Sequence, residues 1–291
     1  MKVSTSILSC DDRVKAVLEL NRTNTSYIHV DVMDGKFVED VQFDTFEKIH
    51  SVNLVSNKPL DIHLMVENPL EYIEQLSNMN IEFVTFHVEV NKNIGKIIKS
   101  IHDKGYKVGL AIKPNTDVKV LEKYLDNIDM ILVMSVEPGR GGQKFINSSV
   151  DKINEVRELI GSRNILIEVD GGITDETIDN VRDVDIVVVG SYIVKSNNYY
   201  SAIESLFVKN KDEINDKKGR SFPNFLRISV IFGTICFGIW LWVIFCLVFF
   251  SKFMSNPFSM VFYSLVLPVG VISIFIYLLY MWKKNKKDNN E

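Results

Sequence analysis

The chain contains little cysteine, and its charge is not concentrated in one sign. Three cysteines occur in 291 residues, and two of them, Cys236 and Cys246, lie in an apolar stretch near the C-terminus. This distribution argues against a disulfide framework and suits a reducing compartment. The net charge is -4 and no basic stripe runs through residues 1–210, so we expect no nucleic-acid partner. The N-terminal segment also lacks the apolar core of a signal peptide, which favours a cytoplasmic domain.

Long apolar runs are absent from residues 1–210 but dominate the C-terminal part. Residues 228–250 and 258–282 are almost continuously apolar, and each is long enough to cross about 30 Å of hydrocarbon as a helix. Basic residues flank the outer ends of this pair, so the positive-inside rule places both termini in the cytoplasm. The sequence therefore predicts a multi-pass membrane protein anchored in a lipid bilayer. Its predicted parts are a soluble domain at 1–210, a charged linker at 211–227, a two-helix transmembrane hairpin at 228–282 and a basic cytoplasmic tail at 283–291.

Short β-branched runs alternate with amphipathic segments through the soluble part. Strands are predicted at residues 3–8, 27–32, 60–65, 83–87, 107–112, 130–136, 165–169 and 186–189. Helices are predicted at residues 11–20, 43–52, 69–77, 93–104, 118–125, 149–160, 175–180 and 196–206. This pattern predicts an α/β protein with a TIM (β/α)8 barrel. An open doubly wound sheet has the same alternation, but here functional-looking residues end many strands instead of meeting at one switch point.

Four motifs at predicted strand ends carry candidate metal ligands and glycines. They are HVDVMDG at 29–35, DIHLMV at 61–66, EPGRGGQ at 137–143 and EVDGG at 168–172. His29 and Asp31 are two positions apart on one strand, so their side chains lie on the same face. Together with His63 and Asp170 they form a set that suits one divalent metal ion, which could be zinc, manganese, cobalt or iron. Any one of these residues alone is more often structural, but four at strand ends favour a metal site.

Glycine-rich turns are expected after the sixth, seventh and eighth strands. Backbone N–H groups in such turns can hold a phosphate without a long cationic side chain. The residues in question are Gly141, Gly142, Gly171, Gly172, Gly190 and Ser191. A metal ion beside a phosphate pocket, with a carboxylate on each side, indicates proton transfer next to a carbonyl group.

The order and spacing of these motifs resemble the ribulose-phosphate 3-epimerase family. The resemblance covers residues 3 to about 206 and includes SIL at 6–8, FHVE at 86–89 and VGLAIKP at 108–114. It implies an isomerase of the pentose phosphate pathway that converts D-ribulose 5-phosphate into D-xylulose 5-phosphate through an enediolate. The implied catalytic pair is Asp31, which removes the C3 proton from one face, and Asp170, which delivers a proton to the other. The implied substrate contacts are Ser6, His63, Gly141, Gly142, Gln143, Gly171, Gly172, Gly190 and Ser191.

The resemblance also suggests supporting residues and leaves alternatives open. Met33, Met65 and Met134 would form an apolar collar, although core packing alone would also explain them. Independently of the resemblance, His87 is expected to support a ligand and not to be one. Sister enzymes that act on allulose 6-phosphate share much of the pattern, although IKP at 112–114 and GGI at 171–173 look more like the pentose enzyme. A membrane-anchored sugar-phosphate-binding pseudoenzyme is the alternative from another class. Self-association of the barrel into a homo-oligomer is left open.

Several residues depart from the family pattern near the expected mouth of the site. Glu39, Asp40 and Asp44 add acidic groups to a loop that covers the site in relatives, and Arg140 replaces an aromatic residue. The guanidinium of Arg140 could pair with phosphate oxygens and offset the added acids. The alternative is a solvated side chain that points away from the site.

Overall fold

A closed barrel of parallel strands forms the centre of the described part of the chain. The computed structural model describes residues 1–43 and 46–208. Its strands are β1 (Lys2–Ser6), β2 (Tyr27–Asp34), β3 (Val41–Gln42), β4 (Leu60–Met65), β5 (Ile81–His87), β6 (Lys107–Ile112), β7 (Met130–Met134), β8 (Leu166–Asp170) and β9 (Ile186–Val189). All except β3 pair in parallel in the order β1-β2-β4-β5-β6-β7-β8-β9, and β9 pairs back with β1. The predicted TIM barrel is therefore confirmed in this part of the chain.

Helical segments follow most of the strands on the outside of the barrel. They are α1 (Arg13–Leu20), α2 (Phe46–Val55), α3 (Pro69–Ile73), α4 (Ile94–Asp103), α5 (Ser149–Ile160), α6 (Ser191–Val194) and α7 (Tyr199–Phe207). The predicted helices at 118–125 and 175–180 are instead 3₁₀ segments at Val118–Asn127 and Ile178–Val181. The short antiparallel strand β3, which pairs with the end of β2, and the one-turn helix α6 were not predicted.

The helix α4 shows how the sequence directs the outer layer. The side chain of Asn93 caps its first turn by accepting a hydrogen bond from the backbone N–H of Lys96, which satisfies a donor that the helix itself leaves free. Four isoleucines at positions 94, 97, 98 and 101 are buried. Their spacing places them on one face of the helix, so α4 packs against the barrel through an aliphatic stripe.

The strands separate an apolar outer face from a partly polar interior. On β2, Val30 and Val32 belong to the large apolar core, while His29 and Asp31 alternate with them. Near the N-terminal ends of the strands, a second apolar cluster contains Tyr27, Phe83, Met130 and Ile186. The rings of Tyr27 and Phe83 meet edge to face at 5.7 Å. Apolar packing therefore fills one end of the barrel and leaves polar side chains toward the other.

The predicted membrane segment cannot be compared with this structure. No helix within residues 1–43 and 46–208 combines the length and apolar character needed to cross a membrane. The predicted linker at 211–227, the spans at 228–250 and 258–282 and the tail at 283–291 lie outside the described residues, as does Asp44.

Candidate active site and metal centre

The four predicted metal ligands meet at the C-terminal ends of three strands. Asp31 on β2 is the register partner of His63 on β4, and Asp170 ends β8. The Oδ1 atom of Asp31 lies 3.4 Å from Nε2 of His29 and 3.5 Å from Nδ1 of His63. The same His63 nitrogen lies 3.9 Å from Oδ2 of Asp170. One ligand atom from each of the four residues lies within 4.8 Å of all the others, as a single cation requires.

Two nitrogen atoms in this cluster support its assignment to a metal ion. His29 Nε2 and His63 Nδ1 are buried and have no hydrogen-bond partner. Buried polar atoms in folded proteins are nearly always paired, so two unpaired ring nitrogens beside two carboxylates need an explanation. Imidazole nitrogen and carboxylate oxygen are suitable ligands for the divalent metals considered above. The residues present therefore fit the predicted site.

A buried carboxylate behind His29 completes its environment. Nδ1 of His29 lies 2.7 Å from Oδ2 of Asp61, which also accepts a hydrogen bond of 2.7 Å from the hydroxyl of Ser4. Ligand histidines usually bond a carboxylate through their second nitrogen, which fixes the ring orientation. Sequence reasoning did not assign Asp61 a role. The available signal was its position two residues before His63, because that spacing puts both side chains on one face of β4.

His63 has a different partner behind it. Its Nε2 atom lies 3.0 Å from Nε2 of His87, and both rings are completely buried. His87 in turn contacts Glu89, with Nδ1 of the ring 3.1 Å from Oε2 of the carboxylate. His87 therefore lies directly behind His63, one of the four predicted ligands, as a supporting residue would. Burial is the main reason that the pKa of His87 is lowered to about 4, so its ring is neutral near pH 7.

The two candidate catalytic carboxylates differ in their acidity. Burial and the nearby charge of Asp31 raise the pKa of Asp170 to about 6. Burial also opposes ionisation of Asp31, but His29 and His63 outweigh it and hold the pKa of Asp31 far below its ordinary value. Asp31 is therefore charged near neutral pH, while Asp170 can take up a proton close to that range. A pair of carboxyl groups with separated acidities is typical of sites where one acts as base and the other as acid.

A cavity of about 470 Å³ opens above this cluster. The predicted residues that line it are Ser6, Asp31, Met33, Met65, Met134, Gly141, Gly142, Gln143, Asp170, Gly171, Gly172, Gly190 and Ser191. His63, which was also predicted to contact the substrate, is completely buried and does not line the cavity. Its position therefore suits a metal ligand and not a substrate contact. The lining residues that the sequence did not indicate include Ser9, Lys144, Phe145, Asn147, Thr174 and Thr177.

The turn after β8 requires glycine for steric reasons. Gly172 has a φ angle of +66°, and a Cβ atom there would lie 2.3 Å from the backbone nitrogen of Phe145. At Gly171, with φ +120°, a Cβ atom would lie 2.4 Å from the side chain of Val136. These contacts bring the turn after β8 against the loop after β7. Together the two segments form one wall of the cavity.

Two loops meet at the mouth of the site. The carboxylate of Asp34 holds the loop after β2, because it accepts hydrogen bonds from the backbone N–H groups of Lys36, Phe37 and Glu67. Across the mouth, Nη2 of Arg140 lies 2.8 Å from Oε2 of Glu39. Arg140 also lines the cavity. Its ion-pair partner is thus one of the added acids that the sequence singled out.

Comparisons with known proteins indicate the family of the chain. The model of the family described as "Ribulose-phosphate 3 epimerase family" matches residues 2–194. A Bacillus subtilis protein named ribulose-phosphate 3-epimerase is 35% identical over 213 residues, covering 71% of this chain and 98% of the relative. A protein of the same name from Buchnera aphidicola subsp. Baizongia pistaciae is 40% identical over 211 residues, covering 70% and 92%.

Solved structures with low sequence identity share the barrel fold. A 3-hexulose-6-phosphate synthase from Salmonella typhimurium has a TM-score of 0.52 at 16% identity, covering 71% of this chain and 96% of that one. A structure of KGPDC from Streptococcus mutans also has a TM-score of 0.52, at 13% identity, covering 74% and 97%. At these identities the similarity supports the fold and not a shared reaction.

Proposed function

Because the chain belongs to the ribulose-phosphate 3-epimerase family, we propose how its residues divide the work of epimerisation at C3 of D-ribulose 5-phosphate. The chain is an isomerase that acts on carbohydrates, and its reaction yields D-xylulose 5-phosphate in the pentose phosphate pathway. The observation that carries the assignment of roles is the placement of Asp31 and Asp170 at one cavity, with a carboxylate oxygen of each within 4 Å of Nδ1 of His63.

Asp31 acts as the base and Asp170 as the acid in the forward direction. Inversion at C3 requires one group to remove a proton from one face and another to deliver a proton to the opposite face. The hydroxyl of Ser6 donates a hydrogen bond of 2.8 Å to Oδ2 of Asp31, which orients this carboxylate. The lowered pKa of Asp31 keeps its carboxylate ionised, so that it is in the form of a base, and the raised pKa of Asp170 lets that group hold the proton to be delivered. The roles exchange in the reverse reaction.

His29, His63, Asp31 and Asp170 would hold one divalent metal ion, for which zinc, manganese, cobalt and iron all remain candidates. When bound, the ion supplies Lewis-acid stabilisation of the negative charge that develops on the ketose oxygens. Among the described residues, these four side chains suit a divalent metal ion, because two of them present unpaired buried nitrogens to two carboxylates.

The glycine turns bind the phosphate and the methionines surround the carbon skeleton. Gly141, Gly142, Gly171, Gly172, Gly190 and Ser191 line one cavity, and turns of this kind present backbone N–H groups to an anion. Gln143 lies on the same wall, although its amide nitrogen donates hydrogen bonds to the backbone oxygens of Glu137 and Arg140. Its contribution is therefore to hold the loop shape. Met33, Met65 and Met134 supply the apolar part of the lining.

The function is tested by assaying the full-length chain with ribulose 5-phosphate before and after chelation, and with each metal restored singly. The proposal predicts turnover that is lost on chelation and recovered with at least one metal. Parallel assays with allulose 6-phosphate should give lower kcat/KM, and the reverse order would favour the hexose enzyme. A chain that binds no metal and converts neither sugar would be the pseudoenzyme.

We further propose that residues 228–250 and 258–282 form a membrane hairpin with the catalytic domain and both termini in the cytoplasm. Support comes from the two apolar runs and their flanking lysines and arginines in the sequence. Carbonate extraction should leave the full-length chain in the membrane pellet, and external protease should spare the catalytic domain in intact cells. Release of the chain into the supernatant would contradict the hairpin, and cleavage of the catalytic domain from outside would contradict the orientation.

A further inference from the structure

A chain of hydrogen bonds leads from the metal ligand His63 to a carboxylate outside the ligand set. His63 Nε2 contacts His87 Nε2 at 3.0 Å, and His87 Nδ1 contacts Glu89 Oε2 at 3.1 Å. The other oxygen of Glu89, Oε1, accepts hydrogen bonds from the backbone N–H of Lys113 at 2.8 Å and from the hydroxyl of Thr116. Both oxygens of this carboxylate are therefore acceptors with fixed partners.

These partners determine where each ring hydrogen lies. An ionised carboxylate only accepts hydrogen bonds, and a neutral imidazole has one N–H and one lone pair. His87 must therefore donate from Nδ1 to Glu89, which leaves its Nε2 as an acceptor. His63 must then donate from its own Nε2, which leaves the lone pair on Nδ1. That nitrogen is the one that lies 3.5 Å from Oδ1 of Asp31 and 3.9 Å from Oδ2 of Asp170.

We propose that Glu89 and His87 are positioning residues that hold His63 in its metal-binding tautomer. In the opposite tautomer, the Nδ1–H of His63 would occupy the space needed by the ion. The inference rests on the proposed metal site and extends it, because it explains why one ligand histidine is supported by a second histidine. His29 achieves the same end directly through Asp61.

Aromatic packing holds the intermediate ring in place. The ring of Phe37 lies 4.8 Å from that of His87, and the ammonium group of Lys113 lies 4.2 Å from the Phe37 ring centroid. The ring centroid of His63 lies 5.0 Å from that of His87, as expected for rings joined through their Nε2 atoms. With these neighbours and complete burial, the His87 ring stays in the orientation that directs Nδ1 to Glu89.

The substitution Glu89→Gln tests the direction of the hydrogen bonds with little change in shape. The backbone N–H of Lys113 and the hydroxyl of Thr116 need an acceptor, so the amide oxygen of Gln should occupy the position that Oε1 has in Glu89. The amide NH₂ then faces His87 and donates to Nδ1, which reverses both hydrogen bonds and puts a hydrogen on Nδ1 of His63. We expect the dissociation constant for Co²⁺, measured by visible absorption on the metal-stripped full-length chain, to rise about 10- to 100-fold.

Repeating Glu89→Gln in a His87→Gln chain distinguishes a positioning role of Glu89 from a general loss of structure. In His87→Gln, the amide oxygen can accept a hydrogen bond from His63 Nε2 without help from Glu89. Glu89 then no longer acts on His63, so adding Glu89→Gln to this variant should change the Co²⁺ dissociation constant by less than about twofold. An equal penalty in both backgrounds, or no penalty from Glu89→Gln alone, would overturn the inference. The matched control is Glu82→Gln, which removes an ion pair with Lys107 at the other end of β5 and should leave Co²⁺ binding unchanged.

Nitrogen-15 NMR of the metal-stripped wild-type chain gives a reading that depends neither on a variant nor on the ion. The proposal predicts hydrogens on Nε2 of His63 and Nδ1 of His87, and the opposite pattern would overturn it even if Glu89→Gln fails to fold. Failure of the wild-type chain to bind Co²⁺ or Zn²⁺ would contradict the metal site itself. Normal wild-type binding that Glu89→Gln leaves unchanged would contradict only the role of Glu89 and His87.

Discussion

Arg140 and Glu39 form an ion pair that joins two loops across the mouth of the cavity. The contact between Nη2 and Oε2 measures 2.8 Å, and both side chains are mostly exposed to solvent. Exposed pairs of this kind contribute at most about 1 kcal/mol to stability, so its main effect is on charge. The guanidinium neutralises one of the acids that the β2–β3 loop adds beside the path of an anionic substrate.

Replacing Arg140 with phenylalanine should weaken binding of the phosphorylated sugar. The change leaves Glu39 and Asp40 without the compensating cation, and their negative charge then repels the substrate. We expect KM for ribulose 5-phosphate to rise severalfold at low ionic strength. The penalty should shrink at high salt, because exposed charges are screened over about 10 Å at 0.1 M. Steady-state kinetics at both salt concentrations measure this.

Two further variants identify the origin of the effect. Arg140→Lys keeps the charge and should leave KM near the wild-type value. Combining Arg140→Phe with Glu39→Gln removes the uncompensated acid and should recover part of the loss. An unchanged KM in Arg140→Phe at low salt would mean that this side chain has no electrostatic role at the mouth.

Gly172→Ala should damage both stability and substrate binding. The new Cβ atom would lie 2.3 Å from the backbone of Phe145, so the turn after β8 must move away from the loop after β7. We expect a loss of more than about 2 kcal/mol in the free energy of unfolding and a clear rise in KM. Gly161→Ala is the matched control, since Gly161 has φ +60° but no neighbour within 4 Å of its Cβ position. That variant should cost less stability than Gly172→Ala, because its penalty of about 1–3 kcal/mol comes from backbone strain alone, and it should leave KM unchanged. Equal effects of the two substitutions would contradict the steric explanation.

Asp34 should stabilise the protein in a pH-dependent way. Although partial burial opposes its ionisation, hydrogen bonds from the backbone N–H groups of Phe37, Glu67 and Lys36 lower its pKa. Because the folded-state pKa is below the unfolded value of about 3.9, the stabilisation is present above that value and disappears as the pH falls through the folded-state pKa. Asp34→Asn should therefore lower Tm by about 2–4 °C at pH 7, and by less at pH 3.

The comparison for this variant is Asp103→Asn, which breaks an exposed ion pair with Lys99. Thermal unfolding of the full-length chain should show a smaller change in Tm for Asp103→Asn than for Asp34→Asn at pH 7. A penalty for Asp34→Asn that is as large at pH 3 as at pH 7 would show that the charged form of Asp34 is not responsible.

The sequence predicted the barrel and its ligand cluster because both depend on short-range periodicity. His29 and Asp31 share a face of β2 through their spacing alone, and the alternation of strands and helices brings His63 and Asp170 to the same end. The segment Val118–Asn127 is different, because buried Val118, Leu121 and Leu125 suit either an α-helix or a 3₁₀ helix. The spacing of three residues between Val118 and Leu121 places both side chains on one side of either type of helix, so this pattern did not separate the two.

The supporting residues were harder to predict because their roles depend on contacts between strands. Asp61 matters through Nδ1 of His29, its register partner on β2. Glu89 lies beyond the end of β5 and reaches the site through His87. The pairing of Arg140 with Glu39 joins residues 101 positions apart, and the sequence left this side chain between two interpretations.

The central claim is that Asp31 and Asp170 act on opposite faces of C3, and kinetics in deuterated water test it most directly. Asp31→Asn and Asp170→Asn should each reduce kcat for conversion of ribulose 5-phosphate by at least about 100-fold in chains that remain folded. Asp170→Asn should still exchange the C3 proton of ribulose 5-phosphate with solvent, because Asp31 remains to remove it, whereas Asp31→Asn should not. Turnover near the wild-type rate in either variant would contradict the two-carboxylate mechanism.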